Sequence, residues 1–303
     1  MAQVEGASDD RAARPAFCGS AVSDEDFSVL VEIVDSCKLS RNELAQTICE
    51  ALGWVRPNGR LKARECYEYL VLLEAKGLLT LPLRPEWRPR GPTSIVFTEA
   101  GREQPRREGE LRDVAPVTLG LVANGEERAL WRELVERYHY LGHKVAYGAH
   151  LRYLIYLGKP KRGLAGCVQF SSPARWLLSR DRFIGWDDET RKANLFRVVN
   201  NSRFLILPWL KIKGLASHAL ALSARVVEED WEEAYGTRPV LLETFVERES
   251  FEGTCYRAAN WVEVGETSGR GRMDRKNRWA EPRKRCLLYP LARDFRRRLG
   301  VVS

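Results

Sequence analysis

The sequence lacks the features that define secreted, membrane-spanning and zinc-stapled proteins. Its 303 residues contain no apolar run of about 18 residues, the length that a transmembrane helix needs, and residues 1–15 are polar with no leader-like core. The seven cysteines form no Cys-x-x-Cys pair and none lies near a histidine at zinc spacing. The four histidines follow no metal or triad pattern, and no internal repeat occurs. We therefore expect a cytoplasmic protein without a membrane segment.

Positive charge is distributed unevenly along the chain. The formal net charge is +8, and residues 270–300 alone hold twelve Lys or Arg and three acidic residues, a net of +9. A basic stretch at one end of a chain indicates a polyanionic partner, most often a nucleic acid. We expect this partner to be DNA, and the alternative is a solubilising tail.

The N-terminal part is predicted to contain a flexible arm, residues 1–22, and a helical domain, residues 23–82. Within this domain, Ser40 and Glu43 have the spacing of a capping box at a helix start. Residues 78–81 are predicted to form the first strand of a wing, so the unit resembles a winged helix-turn-helix. In that arrangement the third helix enters the major groove. Basic residues at its start are expected to face DNA: Arg60, Lys62 and Arg64. A helical domain that packs only on a neighbour is the alternative.

Residues 83–125 are rich in Pro, Arg and Gly, and are predicted to form a linker with a wing or edge strand at residues 94–98. Residues 126–303 are predicted to form a second domain with a mixed α/β (α+β) sheet, because helical and strand patterns alternate along it. Its main elements are expected as strands at 151–157, 164–170, 203–207, 240–246 and 262–264, and as helices at 215–231 and 255–261.

A segment with two lysines and a glycine, KIKGLA at residues 211–216, follows the strand predicted at 203–207 and opens the long helix. Lys211 and Lys213 would lie beside the first helical amides, which bind anions such as phosphate. The segment resembles the pyrophosphate-binding segment of GNAT-type N-acetyltransferases, and the short helix that carries Tyr256 is also similar to that family. This resemblance implies a GNAT-like fold and, as an alternative activity, acyl transfer from acyl-CoA. The alternative is that Gly214 and Ala216 are small because the helix packs closely on the strand.

Several strings of the second domain resemble the DruA family of Druantia anti-phage systems, which is also found in or beside transposable elements. These strings are residues 200–209 (NNSRFLILPW), 215–218 (LASH), 242–246 (LETFV), 251–261 (FEGTCYRAANW) and 269–272 (GRGR). The resemblance implies a DNA-directed role in defence or mobile-element biology, and it carries no catalytic assignment. The roles expected of single residues therefore follow from their own chemistry.

Two potential nucleophiles lie beside a cation in residues 253–257. Attack by Tyr256 on a DNA phosphodiester would give a phosphotyrosine link, and Arg257 would stabilise the developing charge. Cys255 is the alternative nucleophile, because a neighbouring arginine and a helix start lower a thiol pKa. A buried tyrosine and a space-filling cysteine are the structural alternatives.

Glu243 is predicted to lie in the middle of an apolar strand, where a carboxylate is costly unless it is paired or bound to a metal. We expect it to act as a general base or as a ligand of a divalent metal such as Mg²⁺, with Asp274 as its partner. The alternative is an ion pair with Arg203 or Arg257.

Other polar residues are expected to contact DNA. Asn200 and Asn201 precede an apolar strand, and their amides would read bases or orient a phosphate, unless they form a β-turn. Trp176 is among the tryptophans that would stack on bases, with arginines alongside. The remaining basic candidates for phosphate contact are Arg203, Lys211, Lys213, Arg270, Arg272, Arg275 and Lys276.

Together these features favour a DNA-binding protein of anti-phage defence or mobile elements that cleaves or transfers a DNA strand. Two alternatives remain open. One is a GNAT-type acyltransferase that uses acyl-CoA, and the other is a non-catalytic DNA-sensing subunit that recruits helicase or nuclease partners.

Overall fold

The chain forms an N-terminal helical module followed by a mixed α/β domain. The computed structural model describes residues 14–37, 39–57, 60–83, 94–144, 148–158, 163–267 and 282–301. The module consists of three helices, namely α1 (Asp24–Ser36), α2 (Arg41–Leu52) and α3 (Ala63–Ala75).

Local capping signals set the bounds of α2. The Ser40 hydroxyl accepts the N–H of Glu43, and the Glu43 carboxylate accepts the N–H of Ser40 at 3.0 Å, so the predicted capping box is confirmed. At the other end of the helix Gly53 has φ +79°, a left-handed conformation that costs glycine little.

The winged form of the module is not confirmed. The described residues between α3 and residue 106 contain no strand, although strands were predicted at 78–81 and 94–98. The described β-structure between α2 and α3 is a single isolated bridge between Val55 and Leu61. The module is therefore three packed helices, and its described part has no wing.

The remaining elements confirm the predicted mixed α/β class. In chain order they are β1 (Arg107–Glu110), β2 (Val117–Leu121), α4 (Gly125–Tyr138), β3 (His150–Leu157), β4 (Gly163–Ser171), α5 (Leu178–Ile184), α6 (Asp188–Asn194), β5 (Val198–Ile206), β6 (Leu210–Lys213), α7 (Leu215–Tyr235), β7 (Leu241–Glu247), α8 (Thr254–Ala258), β8 (Val262–Glu266), β9 (Lys284–Pro290) and α9 (Phe295–Arg298). Seven strands form one sheet in the order β2-β3-β4-β5-β7-β9-β8, and β1 pairs in parallel with β6.

The centre of the sheet holds its one described parallel pair, β5 and β7. These strands pair over four positions, from Val198 opposite Leu241 to Asn201 opposite Thr244. Beyond that point β5 continues against β4 and β7 continues against β9, and β5 and β7 no longer pair with each other. We call the point of separation, just after Asn201 and Thr244, the fork.

Two strands of the large sheet lie in segments for which the sequence indicated no sheet strand. Strand β2 falls within the predicted linker and pairs with β3. Strand β9 falls within the basic C-terminal segment, yet it lies between β7 and β8, and its residues Cys286, Leu287 and Leu288 are fully buried. Part of the basic segment therefore belongs to the interior of the domain.

The helical module packs directly on the α/β domain. One hydrophobic cluster contains Leu30 and Ile48 of the module together with Val199 and Leu242 of the sheet. Gln46 of α2 accepts the N–H of Gly148 at 2.6 Å across the same boundary. The two units thus share a core. Among the described helices, none combines the length and the apolar character that crossing a bilayer requires.

Candidate functional site

Tyr256 brings its hydroxyl to the fork. Strand β7 is followed by α8, and the Tyr256 hydroxyl donates to Oδ1 of Asn201 at 2.7 Å, while the Thr244 hydroxyl donates to the Asn201 carbonyl at 3.0 Å. Tyr256 is only 8% exposed, and burial raises the pKa of its phenol. The phenol is therefore neutral and keeps its proton at physiological pH.

Asn201 bridges an irregularity between β4 and β5. Its amide nitrogen donates to the carbonyl oxygens of Gln169 and Arg203, each at 3.2 Å, where the register of the two strands shifts. Asn200 lies beside it within β5, and its buried Oδ1 has no hydrogen-bond partner in the described part of the chain. The β-turn alternative for these two asparagines is wrong, because both are strand residues.

A polar row crosses three strands beside the fork. Arg152 of β3 lies opposite Gln169 of β4, which lies opposite Arg203 of β5. Arg152 Nε donates to Gln169 Oε1 at 2.9 Å, and Gln169 Nε2 donates to the Ser202 hydroxyl at 2.9 Å. Arg203 donates to two carbonyl oxygens, those of Gly142 and Ser202. We call Arg152, Gln169 and Arg203 the arginine row.

Neither arginine of this row has a carboxylate within 4 Å among the residues that the structure describes. Burial, reinforced by Arg132 and Arg128, lowers the pKa of Arg152 to about 10. Burial also lowers the pKa of Arg203. Both guanidinium groups remain charged near pH 7, so the row places two incompletely compensated positive charges next to the fork.

Aromatic residues that the sequence analysis did not select surround the same place. The His139 ring stacks on Tyr140 with 4.9 Å between ring centroids, and Tyr140 lies 5.1 Å from Phe251. Burial, and secondarily Arg203, lowers the pKa of His139 to about 4. The sequence shows an aromatic run at residues 138–140 and Phe251 within the string at 251–261, but it does not show that Tyr140 and Phe251 meet, because they lie more than 100 residues apart in the chain.

Glu243 forms a buried ion pair with Arg180. One carboxylate oxygen accepts from Arg180 Nη1 at 2.9 Å and the other accepts the N–H of Ala174 at 2.6 Å, and both charged side chains are fully buried. Although burial opposes the charge of Arg180, Glu243 and Asp181 together raise the pKa of its guanidinium. The partner of Glu243 is thus Arg180, not Arg203 or Arg257.

The described residues do not fit a divalent metal at Glu243. No group of three or more His, Cys, Asp or Glu side chains that could hold a metal ion occurs in the described ranges. The proposed second ligand, Asp274, lies outside the described residues, as do four basic candidates, Arg270, Arg272, Arg275 and Lys276.

The residues flanking Tyr256 differ from expectation. Burial raises the pKa of Cys255, and the lowering effect of Arg257 is the smaller one, so the expected activation of this thiol is wrong. The Arg257 guanidinium forms an ion pair with Glu263 at 3.3 Å. The described contacts therefore do not support Cys255 as a nucleophile, and the charge of Arg257 is paired with Glu263.

The lysines of the expected phosphate-binding segment lie in a strand. Lys211 and Lys213 belong to β6, where they pair in register with Glu108 and Glu110 of β1. Gly214, with φ +79°, then caps the start of α7. The ion pairs of these two glutamates are with Arg106 and Arg112, so the register by itself does not neutralise Lys211 or Lys213.

The basic residues before α3 and at its start are exposed or partly exposed. Arg64 pairs with Glu68 at 3.1 Å, the Lys62 ammonium lies 5.6 Å from the Phe17 ring centre, and Arg60 is exposed. Within its bounds α3 holds one arginine and three glutamates. Each of these glutamates is paired with an arginine, namely Glu65 with Arg56, Glu68 with Arg64 and Glu74 with Arg41.

Solved structures with a similar backbone arrangement include spermidine N-acetyltransferases of Vibrio cholerae. The enzyme in complex with CoA and spermine is 13% identical, with 57% of this chain and 95% of that chain covered and a TM-score of 0.37. A chimera of SpeG with hSSAT is 11% identical, with 62% and 100% covered and a TM-score of 0.38. The dodecameric structure in an intermediate state is 12% identical, with 47% and 65% covered and a TM-score of 0.31, so the chain spans about two thirds of its length. Scores this low carry no information about activity.

Sequence comparison identifies the family. No curated protein matches the chain. The profile of the family described as Druantia protein DruA matches residues 105–285, which is more than half of the chain and includes β1 to β8 and the start of β9. The match contains the fork, the arginine row and Tyr256. The chain therefore belongs to the Druantia protein DruA family.

Proposed function

We propose that this chain binds DNA as its contribution to anti-phage defence. The observation that carries the proposal is the arginine row, in which Arg152 and Arg203 lie partly buried with no carboxylate partner among the described residues. Removing a guanidinium from water without a counter-ion costs free energy, so an arrangement that holds two partly buried ones is suited to an anionic ligand.

DNA phosphate meets the requirements of this row. Guanidinium groups bind phosphate oxygens through paired N–H donors, and each such contact releases condensed counter-ions from the DNA. Adjacent strands lie about 4.8 Å apart, so Arg152 and Arg203, two strands apart, are separated by about 10 Å along the sheet. The formal net charge of +8 supports the same partner through long-range attraction.

The proposal is tested by the fluorescence anisotropy of labelled single- and double-stranded oligonucleotides between 50 and 200 mM salt. We expect Arg152→Gln with Arg203→Gln to weaken binding at least about tenfold and to reduce the slope of log K against log salt by about two. The matched control is Arg238→Gln on the surface beside α7, because Arg238 is already paired with Glu228 and Glu232. Undetectable binding at low salt, or binding that does not change with salt, would contradict the proposal.

Acyl transfer at the fork is a second candidate, and the state of Tyr256 favours it over strand cleavage. A nucleophilic tyrosine needs an accessible phenolate, whereas burial raises the pKa of Tyr256 and its hydroxyl donates to Asn201. A neutral phenol is instead a hydrogen-bond donor, which holds a bound group in place and does not attack phosphorus. No described contact activates Tyr256 or Glu243 for attack on a phosphodiester.

An acyl-CoA would supply an activated thioester to such a reaction. Within the chain, β5 and β7 stop pairing beyond Asn201 and Thr244, so an extended ligand would pair with the strands there, and the Tyr256 hydroxyl lies at the same point. Calorimetry with acetyl-CoA at up to millimolar concentration tests this candidate. We expect the Tyr256→Phe variant to bind acetyl-CoA with the same heat as the wild-type protein, because the phenol would serve the chemical step and not binding. The absence of any heat of binding with the wild-type protein excludes the candidate.

A further inference from the structure

Trp176 has an unusual environment for a tryptophan of this chain. It follows β4 and precedes α5, and it is 55% exposed, whereas Trp186, Trp209 and Trp261 are at most 9% exposed. Among the tryptophans that the structure describes, Trp176 alone is exposed. Its neighbour Leu178 is also exposed, so the indole lies in a small apolar surface.

Two arginines lie against the indole. The Arg191 guanidinium carbon lies 3.7 Å from the ring centroid, and that of Arg175 lies 5.3 Å from it. Arg191 is only 1% exposed, and its Nη1 donates to the Arg175 carbonyl at 3.2 Å. The exposed ring is therefore supported by a buried cation, a cation–π contact that strengthens with desolvation.

The positive charge of this pair is poorly compensated. Asp188 is the one described carboxylate within 4 Å of Arg191, at 3.6 Å and exposed, and Asp181 also acts on Arg191 from farther away. Nε and Nη2 of Arg191 have no hydrogen-bond partner in the described ranges. Arg175 has a buried Nε without a partner and no carboxylate within 4 Å among described residues. By contrast, the nearby Arg180 is neutralised by Glu243 and Asp181.

From this arrangement we propose that Trp176, supported by Arg191 and Arg175, stacks an unpaired DNA base, with the arginines drawing in the adjacent phosphate. We call these three residues the Trp176 platform. The inference rests on the proposed DNA binding and specifies its substrate as single-stranded or locally unpaired DNA. Stacking on an aromatic ring is possible for every base, because each has a π-face, but bases paired within a duplex do not expose that face.

A nucleic acid fits the platform better than a protein does. An exposed tryptophan with an apolar neighbour suits either partner. The two poorly compensated guanidinium groups beside the ring, however, favour negative charge next to the apolar contact, which a nucleotide provides in one unit. A free mononucleotide has the same chemistry as a base within a strand, so the experiment includes both.

The test compares affinities of the full chain for a labelled single-stranded 20-mer, the matching duplex and a free mononucleotide. We expect Trp176→Ala to weaken binding of the single strand about tenfold, to leave binding of the duplex within about twofold, and Trp176→Phe to restore most of the loss. Phe97→Ala is the matched control: Phe97 is similarly exposed and lies 4.3 Å from Arg137, but Arg137 is paired with Glu133. Thermal melting verifies that each variant is folded.

The outcomes separate this inference from the proposed function. If the wild-type protein binds neither DNA form at low salt, the proposed DNA binding fails and the platform fails with it. If the wild-type protein binds DNA and Trp176→Ala binds the single strand equally well, or loses both forms equally, the platform is wrong while DNA binding stands. Equal affinity for the mononucleotide and the 20-mer would assign the platform to a free nucleotide instead of a strand. Loss of defence in cells by Trp176→Ala with unchanged DNA affinity would assign it to a protein partner.

Discussion

At the scale of single residues, full burial makes charged and titratable groups depend on a few partners. Glu243 and Arg180 are both completely buried, and each supplies the counter-charge of the other. Burial and the neighbouring Arg203 instead lower the pKa of His139, so its imidazole is neutral in the folded protein near pH 7. Each case leads to a measurable effect on stability.

Replacing Glu243 with glutamine should destabilise the fold by up to about 3–5 kcal/mol, because the fully buried Arg180 charge then keeps only the Asp181 carboxylate as a counter-ion. Urea unfolding measures the change. The control is Glu249→Gln, at an exposed position shortly after the same strand, where a change within about 0.5 kcal/mol is expected. Equal midpoints for Glu243→Gln and the wild-type protein would show that the ion pair does not stabilise the fold.

His139 should make the protein less stable in mild acid. Its pKa in the folded state is about 4, below the ordinary value of about 6.5, so the unfolded chain takes up the proton first as the pH falls. The folded state then loses stability between about pH 6.5 and 4, by about 2–3 kcal/mol from this residue. Urea unfolding at several pH values should show a smaller acid loss for His139→Gln, whereas His218→Gln at an exposed site should behave like the wild type. The same acid loss in His139→Gln would contradict the assignment.

At the scale of elements, β9 shows how a basic segment can contain a core strand. Its buried residues form a short apolar run between charged flanks, and Leu288 is fully buried among residues of β5, β7 and α9. A run this short has no periodicity that separates a buried strand from a chance apolar cluster. Pairing with β7 on one side and β8 on the other determines its conformation.

Leu288→Ala should therefore destabilise the domain by about 2–5 kcal/mol through lost burial and a cavity, as for other core leucines. The control, Leu121→Ala at the exposed end of β2, should change stability by less than about 1 kcal/mol. Urea unfolding distinguishes the two variants. Similar small effects for both would mean that β9 contributes little to the core.

At the scale of the whole molecule, the helical module and the α/β domain share one hydrophobic cluster. Contacts across the boundary also include the Lys192–Asp26 pair at 3.5 Å and the hydrogen bond from Thr237 to the Ser36 carbonyl at 3.2 Å. Units that share a core unfold together, because neither retains its buried surface alone.

We expect calorimetry to show a single unfolding transition for the full chain. Ile48→Ala, in the module, should lower the midpoint of that transition without splitting it, because Ile48 is fully buried in the shared cluster. Two separate transitions in the wild-type protein, or a shift of one transition alone in the variant, would show that the units fold independently.

Much of the element order was predictable, because caps and periodicity act between residues a few positions apart. The capping box of α2, the long helix α7 and the strands around it were all indicated by local patterns. Strand β5 begins earlier than predicted, at Val198, because pairing with β7 extends the strand over the two asparagines that alone favour a turn.

The charge excess, the family strings, the α/β class and the short helix that carries Tyr256 could all be predicted from the order of residues. The partners of two central side chains could not: Glu243 pairs with Arg180, 63 residues away, and Tyr256 donates to Asn201, 55 residues away. The tertiary structure decided these partners, and it also decided which arginines lie without a carboxylate partner among the described residues. The physical reason is that burial and ion pairing depend on which distant segments the sheet register brings together, and that information is absent from any short stretch of residues.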